Sequence, residues 1–100
     1  MIKHIVMWQL KTQAEGQTAQ ENALEAKRLL ENLAGKIPGL IKIEIGIDDS
    51  KTDDSADIVL YSEFESQEAL DNYHTHPEHK KVIPFMRAIR DTRTLVDYKA

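Results

Sequence analysis

A chain of 100 residues, 41% hydrophobic and 30% charged with few Gly and Pro, is one globular domain's worth of sequence, which excludes disordered, collagenous and low-complexity classes. A net charge of −4 with no basic block argues against nucleic acid and anionic membrane as partners. The absence of cysteine removes disulfides, thiolate nucleophiles and Cys-rich zinc sites, and no apolar run approaches the length of a membrane span, so a cytoplasmic protein is expected.

Ile2 to Leu10 alternates with Ile2, His4, Val6, Trp8 and Leu10 on one side and Lys3, Ile5, Met7 and Gln9 on the other. Period-two geometry sends these sets to opposite faces of a sheet, and both carry apolar groups. One face can lie on the chain's own helices; the other needs cover, which predicts a homodimer with Ile5 and Met7 or their neighbours in the contact. Thr18 and Glu21 fit a capping box, and Ala19, Ala23, Ala26, Leu30 and Leu33 then recur at helical spacing, with Gly35 as the expected stop.

Ile37-Pro38-Gly39 reads as a turn. Ile41, Ile43, Ile45 and Ile47 alternate with Lys42, Glu44 and Gly46 as a strand with one apolar face. Asp48 to Asp57 is a polar, acidic loop, and Ile58 to Phe64 returns as an antiparallel strand. Ser66 caps a second helix carrying Ala69, Leu70 and Tyr73, which His76-Pro77 interrupts. Pro77 suits the start of a new helical turn; Val82, Ile83, Phe85, Met86 and Ile89 supply its apolar side, with a kink expected at Pro84. Thr94, Val96 and Tyr98 against Leu95 and Asp97 form a last strand. Strand, helix, strand, strand, broken helix, strand is the order of an α+β, ferredoxin-like βαββαβ fold with helices on one face of an antiparallel sheet, a single domain over residues 1–100.

Three of the four histidines, His74, His76 and His79, fall within six residues. Their spacing, broken by Pro77, does not put three rings on one helical face and matches no zinc signature, so no metal and no cofactor is expected. His4 stands among apolar residues on the strand face that should meet the helices, where an imidazole needs a hydrogen bond. Two readings stay open. It is a core histidine satisfied by a carbonyl or hydroxyl, or it lines a pocket with Tyr73 and His79, an acid–base set suited to a small apolar substrate.

Ile2-Lys3-His4-Ile5-Val6-Met7-Trp8, Ile37-Pro38-Gly39-Leu40, Leu60-Tyr61-Ser62-Glu63-Phe64, Tyr73 with His76-Pro77-Glu78-His79, and Val96-Asp97-Tyr98 together resemble the stress-responsive A/B barrel domain, or Dabb, family. The resemblance spans nearly the whole chain and implies ferredoxin-like subunits whose sheets meet face to face in a dimeric α/β barrel. Plant relatives include stress-associated proteins and olivetolic acid cyclase, a polyketide cyclase. The match carries its strand histidine onto His4, its pocket tyrosine onto Tyr73 and its second histidine onto His79 as candidate catalytic residues. Val6, Trp8 and His76 follow as candidate ligand-binding residues, His76 with a structural part in the motif. The chain departs from the cyclase on the first helix, where Ala26 and Lys27 or their neighbours stand in place of a pocket aromatic. The resemblance thus implies a protein binding a small apolar or aromatic ligand, with an acid–base enzyme and a noncatalytic structural protein as alternatives.

Overall fold

The alternating segment Ile2–Leu10 becomes strand β1 at the centre of the sheet in the computed structural model, which describes residues 1–100. Strand β1 is flanked on one side by β5 (Ile58–Phe64), with β4 (Leu40–Ile47) beyond it, and on the other by β6 (Arg90–Lys99), giving the order β4-β5-β1-β6. Every pairing is antiparallel. Helices α1 (Ala19–Glu31), α2 (Gln67–Thr75) and α4 (Ile83–Ile89) close one face, and a single turn, α3 (Pro77–Lys80), joins α2 to α4. This is the ferredoxin-like α+β arrangement expected from the order of elements. No helix is long and apolar enough to cross a membrane.

The core lies between this sheet face and the helices. Ile2, Val6, Trp8 and Leu10 of β1 and Ile58, Leu60 and Phe64 of β5 pack there with Ala23, Ala26 and Leu30 of α1, Leu70 and Tyr73 of α2, and Met86 and Ile89 of α4. The two alanines, both buried, leave room for α1 to lie close to the sheet.

Helix α1 begins with the expected capping box: the Glu21 N–H donates to Thr18 Oγ1 at 3.2 Å and the Thr18 N–H to Glu21 Oε1 at 3.0 Å. Its far end clasps the edge strand β4. Glu31 accepts from the Ile45 N–H at 3.0 Å while Lys27 donates to the Ile45 carbonyl at 2.8 Å. Backbone groups that would otherwise invite strand addition are thereby satisfied.

Gly39 has a φ of +80°, and a Cβ there would lie 2.5 Å from the Ala69 Cβ. Only glycine lets the turn before β4 pass under α2.

Four details differ from the sequence expectation. Residues 13–18 form a small hairpin, β2 (Gln13–Ala14) and β3 (Gln17–Thr18), joined through Glu15 and Gly16, both at positive φ. The helix regular hydrogen bonding ends at Glu31 with Asn32 as cap, so Gly35 (φ +78°) serves the following turns rather than the stop itself. Pro84 sits in the first turn of α4 and starts that helix, where its missing N–H costs nothing, instead of kinking a longer one. Strand β6 starts at Arg90, and a register shift between Gln9 and Leu10 absorbs the extra residue.

Candidate functional site

Strand register builds the site. His4 lies directly across from Asp97, Val6 from Leu95 and Trp8 from Arg93, so these side chains share the helix-facing side of the sheet. The His4 ring is buried and its Nδ1 lies 2.5 Å from Asp97 Oδ1. Burial holds the His4 imidazole below its ordinary 6.5, and the opposing pull of Asp97 does not offset it. At neutral pH the contact is therefore a neutral Nδ1–H donating to a carboxylate. That tautomer leaves Nε2 unprotonated, with a lone pair for a ligand.

Nε2 of His4 and the Tyr73 hydroxyl make no hydrogen bond within the protein, yet Asn22 Oδ1 is the only buried side-chain polar atom without a partner. Both groups accordingly open on a cavity of about 350 Å³. Its walls include Val6, Trp8, Leu30, Leu60, Val82 and Met86, and its polar lining is His4, Tyr73, His74, His79, Arg87, Arg90 and Arg93.

Helix α2 brings Tyr73 onto the sheet, its ring centroid 5.0 Å from that of Phe64 and 6.1 Å from that of His4. Burial raises the Tyr73 pKa far above its ordinary 10.0, so the phenol stays protonated. His79, on α3, stacks on Tyr73 at 4.1 Å between centroids, and burial lowers its pKa below 6.5. Its Nδ1 is 3.4 Å from the His74 carbonyl, so His4 and His79 share the cavity while each hydrogen-bonds a different partner.

His4, Tyr73, His79, Val6 and Trp8 thus meet around one space. His76 does not line it. Held in extended conformation by the following proline, His76 ends α2 and starts α3, its Nδ1 accepting from the Glu78 N–H at 3.1 Å. His74 lines the cavity in its stead. No three His, Asp or Glu side chains converge as a metal site. Sequence reasoning missed Asp97 and the three arginines. Asp97 had a signal, as an acid sharing a strand face with Leu95, but its pairing with His4 depends on register.

Two buried neutral imidazoles carry a pH consequence. Because His4 and His79 titrate below 6.5 in the folded state, the unfolded chain binds protons that the native state refuses. Their stabilising contribution is full above pH 6.5 and declines as pH falls through that value towards the folded-state pKa values. Urea midpoints at fixed protein concentration should therefore fall on acidification across this window. His4→Gln should flatten the decline, and a wild-type midpoint constant across the window would contradict buried neutral rings.

The comparisons agree with this fold. A Bacteroides fragilis protein, described as dimeric, of unknown function and ferredoxin-like, is 30% identical with a TM-score of 0.86, the match covering 99% of this chain and 95% of that one. An Arabidopsis thaliana protein is 25% identical with a TM-score of 0.80, covering 100% and 95%. A Mesorhizobium loti protein described as a Dabb family member with a ferredoxin-like fold is 26% identical with a TM-score of 0.67, covering 99% and 95%. None of the curated proteins matches the chain. With its family model matching residues 2–100, the chain belongs to the stress responsive A/B barrel domain family.

Proposed function

We propose that the protein binds a small apolar or aromatic ligand in the cavity between sheet and helices. The observation that carries this reading is an accessible space of about 350 Å³ with apolar walls and a few convergent polar groups. Small-ligand sites have this size and makeup. A purely structural protein would have these side chains bonded to one another with no space between them, and here His4 Nε2 and the Tyr73 hydroxyl are left free.

Trp8 is the sole tryptophan and lines the cavity, which makes its indole N–H signal a direct reporter. Titration with naphthol or an aryl β-diketone should shift that signal saturably. Ile83→Phe, which adds bulk at a half-buried lining position, should weaken binding by about tenfold or more, because the larger ring takes up space in the cavity and displaces the ligand from part of its apolar wall. Ligands that leave the Trp8 signal unmoved, or an Ile83→Phe protein that binds as tightly as before, would count against the pocket.

A second reading is favoured by one specific contact, the His4–Asp97 hydrogen bond. A neutral imidazole oriented by a carboxylate, facing a protonated phenol, supports proton transfer on a keto or hydroxy-aromatic ligand, with His4 as base, Tyr73 as donor and His79 as a further acid–base group.

The uncovered face of the sheet supports a homodimer. Met7, Val96 and Tyr98 are 40%, 48% and 44% exposed there, beside Ile5, Val59 and Tyr61. An apolar surface of this kind on the outside of a sheet is normally covered. The Bacteroides fragilis relative with the same fold is described as dimeric.

A further inference from the structure

Arg87 near the end of α4, Arg90 at its junction with β6, and Arg93 within β6 all border the cavity, and no carboxylate lines it. The protein's ion pairs are Lys27–Glu31, Arg28–Glu25 and Lys81–Glu78, so all three arginines are without one. None of them donates a side-chain hydrogen bond within the chain either. In a protein of net charge −4, three uncommitted guanidiniums around one apolar space run against the overall balance. Their exposure is graded, with Arg90 half-buried and Arg87 and Arg93 exposed, which leaves the charged heads hydrated in the empty state.

Resting on the reading of this cavity as a ligand pocket, we propose that its ligand is an organic anion: an apolar or aromatic body against Val6, Trp8 and Met86, with a carboxylate or phosphate oxyanion held by Arg87, Arg90 and Arg93. Guanidinium groups suit this task because their planar fork matches either oxyanion with paired hydrogen bonds. The reach of the charge is visible inside the site. Arg93 works against protonation of His4 and His79 and against the raised pKa of Tyr73, so an anion bound beside it would act on the same rings in the opposite sense.

The test is calorimetric titration of the full chain with naphthoate, naphthyl phosphate and naphthamide, which share one body and differ in the head. At low salt the naphthoate or the phosphate should bind about tenfold or more tightly than the amide, as expected for charge-assisted hydrogen bonds, with the preference shrinking as salt rises. Whichever of the two anions binds more tightly identifies the oxyanion. The double variant Arg90→Gln, Arg93→Gln should erase the preference while leaving naphthamide affinity within about twofold, since the apolar walls are untouched. Arg28→Gln, on the outer side of α1, should keep it. Equal affinity for all three heads in the wild-type protein would overturn the anion inference and leave the pocket intact. Binding of none would overturn the pocket reading itself.

Discussion

Replacing Met7 with Asp is expected to turn a dimer into an 11.4 kDa monomer in sedimentation at micromolar concentration. Met7 lies on the side of β1 turned away from the helices, 40% exposed at the centre of the sheet, with Val59 on β5 and Thr94 on β6 as cross-strand partners. Around it the surface is apolar in the middle and charged at the margin, where Lys3 and Lys42 reach over the Tyr61 ring at 5.7 and 5.6 Å. A two-fold interface on this face brings the same position from both copies into the contact, so the substitution introduces two unpaired carboxylates at once. An uncompensated buried charge costs about 3–5 kcal/mol, which weakens association by at least about a hundredfold. Met7→Leu should leave the dimer intact, because it keeps the apolar volume. A wild-type protein that sediments only as the 11.4 kDa species, or a Met7→Asp protein that still dimerises normally, would sink the pairing through this face.

The same alternation that exposes Met7 explains why so much of the fold was legible. Ile2–Leu10 carries apolar groups at both parities, Thr18 and Glu21 announce α1, and Ser66 does so for α2, its hydroxyl accepting from the Ala69 N–H at 3.1 Å. These signals act over a few residues. The β2–β3 hairpin escaped because two-residue strands have no period to detect, and its Glu15-Gly16 turn lacks the Asn-Gly or Asp-Gly pair that announces such turns. Pro84 was ambiguous for a different reason: proline marks both the start and the interruption of a helix, and the choice turned on where α3 ended.

The site divides in the same way. His4, Tyr73 and His79 are chemically distinctive residues on strongly patterned segments, whereas Asp97 is 93 positions from the histidine it touches. Nothing local to Val96-Asp97-Tyr98 tells which strand residue will face it. Arg87, Arg90 and Arg93 resemble ordinary surface charge until the turn from α4 into β6 gathers them at one opening.

On the acid–base reading, His4→Gln should slow deuterium exchange at the acidic carbon of a bound β-diketone, followed by proton NMR, by about 10²–10⁴-fold, the usual contribution of a positioned base. The same variant should let the His79 ring titrate at higher pH, because His4's charge helps to hold that ring down. Asp97 permits a sharper separation. Asp97→Ala leaves the part-buried Nδ1–H of His4 without its acceptor and should cost about 1–3 kcal/mol of stability in urea. Asp97→Asn keeps an acceptor oxygen, so stability should change little, yet it removes the charge that favours the protonated ring. The His4 midpoint should then fall further below 6.5, and exchange should slow along with the weakened base. Tyr73→Phe keeps the ring that packs on Phe64 and His79 while deleting the proton donor, and should lower exchange without disturbing the fold. Exchange that survives His4→Gln undiminished would end the proton-transfer reading. A His4 midpoint unmoved by Asp97→Asn would mean that the carboxylate orients the ring without tuning its basicity.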